Sequence, residues 1–142
     1  MKQLALADGD LVVTPAGHKT ISGAARITQD LRCALIEPLG NDRFHRDWGS
    51  IIRSYIGQTL TEEVALLVES EANRVLQNYV LVQRAQVLGD FTAQRASRYD
   101  TSDVVRAIQD IRVQINFDTV TVFVVLVTQA NQRVTIPLTV GA

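Results

Sequence analysis

The sequence predicts an α+β fold: an N-terminal β-hairpin, three to four helices and a C-terminal three-stranded antiparallel sheet. Three observations carry that expectation. Leu4 and Leu6 are separated from Leu11 and Val13 by Asp8-Gly9-Asp10, a hairpin turn signal. The middle of the chain repeats apolar residues at helical spacing behind a capping signal, and the last third alternates apolar and polar residues with the period of a strand. The 142 residues, 46% of them hydrophobic, suffice for one core, so residues 1–142 read as a single domain.

In chain order, the hairpin is expected to end at Pro15, Ala16 and Gly17. From Ile21 onward, Ile27, Leu31, Ala34 and Leu35 recur at helical spacing with Ser22 as candidate cap, until Pro38 and Gly40 stop the helix. A Gly40-Asn41-Asp42-Arg43 turn follows, with Trp48 anchoring the corner before Gly49 reverses the backbone. Ile51, Ile52, Tyr55 and Ile56 fit a short helix ended by Gly57.

Thr59-Leu60-Thr61-Glu62 has the capping-box pattern, with Thr59 as the cap. Behind it Val64, Leu67, Val68, Glu71, Val75, Leu76 and Tyr79 follow a helical period, with Glu71 at the edge of the stripe. Glu63, Glu69, Arg74 and Gln77 are left facing water. From Val80 to Leu88 the pattern shifts towards strand, and Gly89 to Tyr99 reads as a loop with solvated Arg95 and Arg98. A short helix is expected over Asp103 to Ile108, capped by Thr101 or Ser102.

Ile111, Val113, Ile115 and Phe117 alternate with Arg112, Gln114 and Asn116, giving one buried and one wet face. Val120 to Val127 is apolar on both faces, as a central strand requires. Val134, Ile136, Leu138 and Val140 alternate with Arg133, Thr135, Pro137 and Thr139, and Pro137, lacking an N–H, favours a sheet edge. Turns at Asp118-Thr119 and at Gln129 to Gln132 join these strands into a meander whose apolar face the helices cover.

Fourteen basic residues oppose fifteen acidic ones and are scattered, so no net field favours nucleic acid. The N-terminal MKQLALADGD reaches an acidic turn too soon for a signal-peptide apolar region, and no run is long enough to span a membrane. The single cysteine, Cys33, falls within a helical pattern and reads as a small buried hydrophobe in a reducing compartment.

A search for catalytic groups finds Glu37, Asp42 and Asp47, whose types fit a glycosidase carboxylate pair but serve equally as helix-end, turn and capping residues. His45 has no serine partner in an elbow motif, and His18, His45 and Cys33 lack the short paired spacings of a zinc site. No glycine-rich phosphate loop is present, so no cofactor is expected. Arg43, His45, Arg46 and Trp48 form a basic and aromatic cluster better suited to a structural corner or protein interface than to nucleic acid.

The order of these parts, ADGDLVVTPAGHKTISGAARITQDLRCALIEPLGNDRFHRDWGS, resembles the N-terminal half of the baseplate wedge proteins of contractile tails. These are the gene product twenty-five-like sheath initiators of the GPW family, relatives of the TssE subunit of type VI secretion and sometimes called lysozyme-like. Gly9-Asp10 fits that family's first turn, Gly40 and Arg43 its Gly-Glu-Arg turn with one residue extra, and Trp48-Gly49 its aromatic-Gly step. Asn41-Asp42 replace the glutamate, and Val82-Gln83-Arg84 stand where the family has Glu-Pro-Arg, leaving only Arg84 matched.

The resemblance implies a non-enzymatic structural protein of the virion tail baseplate, assembled in the host cytoplasm in multiple copies within a ring-like machine. It implies contacts with baseplate wedge proteins, a tail sheath subunit and tube or hub proteins. The wedge contact would run through Arg84 and Gln83, with Arg43 a weaker anchor. The sheath contact would run through the strand bearing Arg133, Thr135, Pro137 and Thr139, an edge that another chain's strand can join.

Overall fold

A computed structural model describes residues 2–141; Met1 and Ala142 lie outside the described residues. The expected α+β class holds, with small N-terminal hairpins and a C-terminal three-stranded antiparallel sheet. Among the described residues there are two α-helices rather than three to four, α1 (Ala24–Ile36) and α2 (Glu62–Thr92), with a single 3-10 turn at Ile52–Tyr55 between them.

The N-terminal segment is more elaborate than one hairpin. β1 (Gln3–Leu4) pairs with β6 (Thr20–Ile21), β2 (Leu6–Ala7) with β3 (Asp10–Leu11), and β4 (Val13–Thr14) with β5 (Gly17–His18). Asp8 and Gly9 turn the first hairpin at φ 51° and 90°, the left-handed pair that a tight hairpin needs. Pro15-Ala16 turns a second hairpin instead of ending the first. The three arms meet at residues spaced by seven. Ala5 donates to the Lys19 carbonyl at 2.8 Å, Val12 to Ala5 at 3.0 Å and Lys19 to Val12 at 2.9 Å, a closed ring of bonds. Gln29 of α1 ties this unit down, accepting from the Leu6 amide at 2.8 Å and donating to the Leu4 carbonyl at 2.9 Å.

α1 buries Ile27, Leu31, Ala34 and Leu35 as its spacing predicts. Its N-cap is Gly23, not Ser22: Gly23 has φ 61°, and its amide donates to the buried Asp103 carboxylate at 2.5 Å. A partner eighty residues away thus replaces the local cap. Cys33 lies off the buried stripe and is exposed, contrary to the expectation of a core position.

Thr61, not Thr59, caps α2, accepting from the Val64 amide at 3.2 Å; Val64 holds the third helical position, so the cap is one-sided and the expected capping box does not form. The helix continues unbroken through the expected strand at 80–88 and the expected loop at 89–92. Its buried positions run Val68, Glu71, Ala72, Val75, Leu76, Tyr79, Val80, Gln83 and Asp90. The helical period therefore persists while the side chains on it turn polar, which hides it from a hydrophobicity pattern.

Asp103 and the residues after it form a turn and then β7 (Val105–Ile115), so neither the short helix at 103–108 nor a cap at Thr101 or Ser102 exists. β8 (Thr119–Thr128) is central and β9 (Arg133–Gly141) is an edge, in the order β7-β8-β9. Phe117 lies beyond the strand and is exposed. The inner face of the sheet, including Val120, Val122, Val124, Leu126, Ile136, Leu138 and Val140, joins the α1 and α2 stripes in one core cluster. Each such fully buried side chain contributes about 1.5–3 kcal/mol. No described helix is long and apolar enough to cross a membrane.

Candidate functional site

β9 owes its candidacy to where its backbone points. Its register with β8 is unbroken from Thr119↔Gly141 to Val127↔Arg133. At the hairpin, the Thr128 amide donates to the Gln132 carbonyl at 3.0 Å, which makes that pair hydrogen-bonded. Bonded and non-bonded pairs alternate in an antiparallel ladder. The bonded pairs of β9 are therefore those of Val134, Ile136, Leu138 and Val140, while Arg133, Thr135, Pro137 and Thr139 aim their backbone groups away from β8. The Thr121 and Thr139 hydroxyls, 3.3 Å apart, mark one of the close, non-bonded pairs.

Pro137 faces Phe123 in a non-bonded pair, so it removes no ladder bond and only deletes one donor from the outer edge. Among the described residues, no backbone hydrogen bond reaches this edge from elsewhere in the chain. The edge offers amides at Arg133, Thr135 and Thr139 and carbonyls at all four positions, with the side chains of all four exposed. β7, the opposite edge, is less suited to pairing. Its register breaks between Val105 and Ala107 and again between Ile108 and Asp110, and such bulges twist an edge away from a flat partner.

Arg84 and Gln83 are adjacent in sequence but do different things. Gln83 is 2% exposed. Its side-chain amide donates to the Asp103 carbonyl at 2.7 Å and its oxygen accepts from the Val105 amide at 2.8 Å, so it fastens α2 to the start of β7. Arg84 is exposed and donates to the Arg106 carbonyl at 3.0 Å. Beside it Val87, Leu88, Phe91 and Val104 line a small apolar cleft of about 270 Å³.

Arg43 lies in the exposed loop between Leu39 and Asp47, whose base is built tightly. Ser50 donates through its amide to the Glu37 carbonyl at 2.8 Å, and the Leu39 amide to Ser50 at 3.1 Å. Glu71 is 8% exposed and accepts from the Ile51 amide at 3.0 Å and from Arg74 at 2.7 and 2.8 Å. Arg74 also reaches the Gly49 carbonyl at 2.7 Å, and Asn78 the Asp47 carbonyl at 3.1 Å. Glu71 and Arg74 are thus a clamp rather than an edge residue and a solvated one. Trp48 packs against the core with its ring 6.5 Å from that of Tyr79.

At the tip, Asp42 accepts from the Phe44 and His45 amides at 2.8 and 3.2 Å and lies 3.0 Å from His45 Nδ1. The Phe44 amide bond first, and then the His45 side-chain bond, hold the Asp42 carboxyl below its ordinary range. Glu37 caps α1 and its carboxylate accepts from the Asn41 side chain at 2.5 Å. Asp47 enters through its backbone carbonyl. Phe44, which the reading of the basic cluster passed over, is 91% exposed; a lone aromatic in a polar turn was the available signal.

The fold is similar to that of a protein from Geobacter sulfurreducens described as a candidate tail lysozyme. The match has a TM-score of 0.56 and spans 93% of this chain and 96% of that one. With 11% identical residues, the likeness is one of fold. No protein-family model matches the chain, and no curated protein matches it.

Proposed function

We propose that the chain is a non-enzymatic component of a contractile-tail baseplate wedge, which joins inner wedge proteins and templates the first sheath ring by β-strand addition to β9. The observation that carries this reading is the regular, unpaired edge from Arg133 to Thr139, about 20 Å long at the usual rise per residue. Main-chain bonds along such an edge supply affinity without a deep pocket, as suits a template that must accept a strand. The fold similarity to a candidate tail lysozyme supports a tail setting, and Arg84 supplies an exposed guanidinium for a wedge partner. Gln83, being buried, serves that contact only by holding α2 against β7.

Removing β9 outright is a poor test, because Ile136, Leu138 and Val140 belong to the core. Thr135→Pro is better, since it deletes an outward amide while leaving every β8–β9 bond in place. Baseplates assembled with this variant are expected to incorporate the chain but to initiate sheath poorly. Normal sheath growth would overturn the reading.

The Geobacter protein's description favours a second reading, a peptidoglycan-cleaving enzyme using Glu37 with Asp42 or Asp47. A glycosidase needs one carboxyl held protonated near neutrality. Asp42 is shifted the opposite way, and Glu37 is occupied by Asn41. Clearing of a cell-wall suspension by the purified chain, abolished by Glu37→Gln, would establish the enzymatic reading instead; no clearing is expected.

A further inference from the structure

Two surfaces outside the β9 edge set exposed apolar side chains beside charged groups of opposite sign. The first is the loop tip. Phe44 projects almost fully into solvent, flanked by Arg43 and Arg46, and neither arginine has an acidic partner within ion-pair distance among the described residues. The Asp42 carboxylate accepts from the Phe44 and His45 amides, and Asp47 enters the loop base through its backbone carbonyl, so the apex presents the Phe44 ring between the Arg43 and Arg46 guanidinium groups although the loop from Asp42 to Asp47 is neutral as a whole. The tip stands on a rigid base, with Gly49, Ser50 and Ile51 bonded to α1 or α2.

The second is a groove of about 510 Å³ between α2 and β7, with Leu66, Ile108 and Ile111 as its apolar lining and Glu69 on its rim. Leu66 is 67% exposed. Glu62 is seven residues before Glu69 and four before Leu66, so it shares that helix face. From Thr59 to Asn73 the chain carries four glutamates and no lysine or arginine. Among the described residues, only Glu71 of these four is engaged, by Arg74 and Ile51.

We propose that the Arg43-Phe44-Arg46 tip of one copy docks into the α2/β7 groove of a second copy, with Phe44 against Leu66, Ile108 and Ile111 and the arginines beside Glu69 and Glu62. The two surfaces do not meet within one molecule. The loop base is held by Glu71, Arg74 and Asn78, whereas the groove is lined by Leu66, Glu69, Asn73 and Gln77, on another flank of α2. Contact between copies therefore joins two different surfaces, either reciprocally in a twofold dimer or head-to-tail in a ring or filament. A net charge of −1 supplies no general attraction to phosphate polymers or anionic bilayers, which leaves a local acidic and apolar pocket as the fitting occupant. The inference stands apart from the tail reading, since β9 takes no part in it.

The test is sedimentation equilibrium of the full chain. Weak, concentration-dependent self-association is expected, diminishing with added salt. Phe44→Ala and, separately, Glu69→Arg should each weaken it by about tenfold or more. An equimolar mixture of Glu69→Arg with Arg43→Glu/Arg46→Glu should regain self-association that neither variant shows alone, because each variant's tip then meets an oppositely charged groove on the other. A chain that stays monomeric up to about 1 mM, self-association indifferent to Phe44→Ala, or no pairing in the charge-reversed mixture would each overturn the proposal.

Discussion

Gly49 crosses so close to Glu37 that a Cβ added to it would stand 2.6 Å from the Glu37 carbonyl oxygen and 2.8 Å from that of Pro38. The crossing closes the base of the loop that carries Arg43 and Phe44, and it also requires φ +98°. Gly57 has a similar dihedral, φ +83°, but open space around it. Gly57→Ala should therefore cost about 1 kcal/mol from backbone strain alone. Gly49→Ala should cost about 3 kcal/mol or more, because strain and clash add. Urea midpoints of the two variants measure the difference; equal shifts would mean that close approach is not what demands glycine at position 49.

Gln83 and Arg84 separate structure from surface on consecutive residues. Gln83→Leu removes the buried bonds to the Asp103 carbonyl and the Val105 amide, a loss of about 2–3 kcal/mol. Arg84→Ala removes a single exposed bond to Arg106 and should change stability by no more than about 0.5 kcal/mol. Under the wedge reading, Arg84→Ala should nonetheless reduce incorporation into baseplates. Denaturation curves and baseplate composition report the two effects independently.

Stability should fall in acid through Asp90. The Arg98 side chain first, and then its amide, draw the Asp90 pKa down to about 2. The ordinary carboxyl value in an unfolded chain is about 3.9. Because the folded value is the lower one, this contribution is fully present above about pH 4 and is lost as pH falls towards about 2. Asp103 adds in the same direction: burial raises it, but hydrogen bonds, including those from the Gly23 and Asp100 amides, bring it below its ordinary value. Asp90→Asn should be less stable than the parent at neutral pH and should flatten the profile between about pH 4 and pH 2, measured by urea titration at each pH.

The alternation along β9 makes neighbouring proline substitutions unequal. Thr135 is in a non-bonded pair with Val125, whereas Ile136 is in a bonded pair with Val124. Thr135→Pro should cost about 1 kcal/mol or less, and Ile136→Pro about 3 kcal/mol or more, since only the second breaks the ladder and disturbs the core. Thermal unfolding distinguishes them, and the reverse order would invalidate the assignment of outward-facing groups.

Much of the fold was legible because burial and periodicity agree in most elements. β9 buries Ile136, Leu138 and Val140 and exposes Arg133, Thr135, Pro137 and Thr139 as its alternation predicts, and α1 buries the expected stripe. The second half of α2 was not legible, because Gln83 and Asp90 occupy buried helical positions where the pattern sought apolar residues. Val80, Leu81 and Val82 add local strand preference that packing against the sheet overrides. Arg98 is exposed as expected, but its fork onto Asp90 depends on a chain reversal that spacing does not reveal.

By itself the sequence determined the α+β class, the meander of three C-terminal strands and the edge position of the strand bearing Pro137, because each follows from period, turn chemistry and a missing N–H. Only the tertiary structure decided that Asp103 caps α1, that Glu71 and Arg74 clamp the Trp48-Gly49 corner, and that the β9 edge is regular while β7 is bulged. These depend on partners from 3 to 80 residues apart along the chain, brought together by burial of a shared core rather than by local preference. A polar group's role is set by what reaches it in three dimensions, and that is the information a one-dimensional pattern lacks.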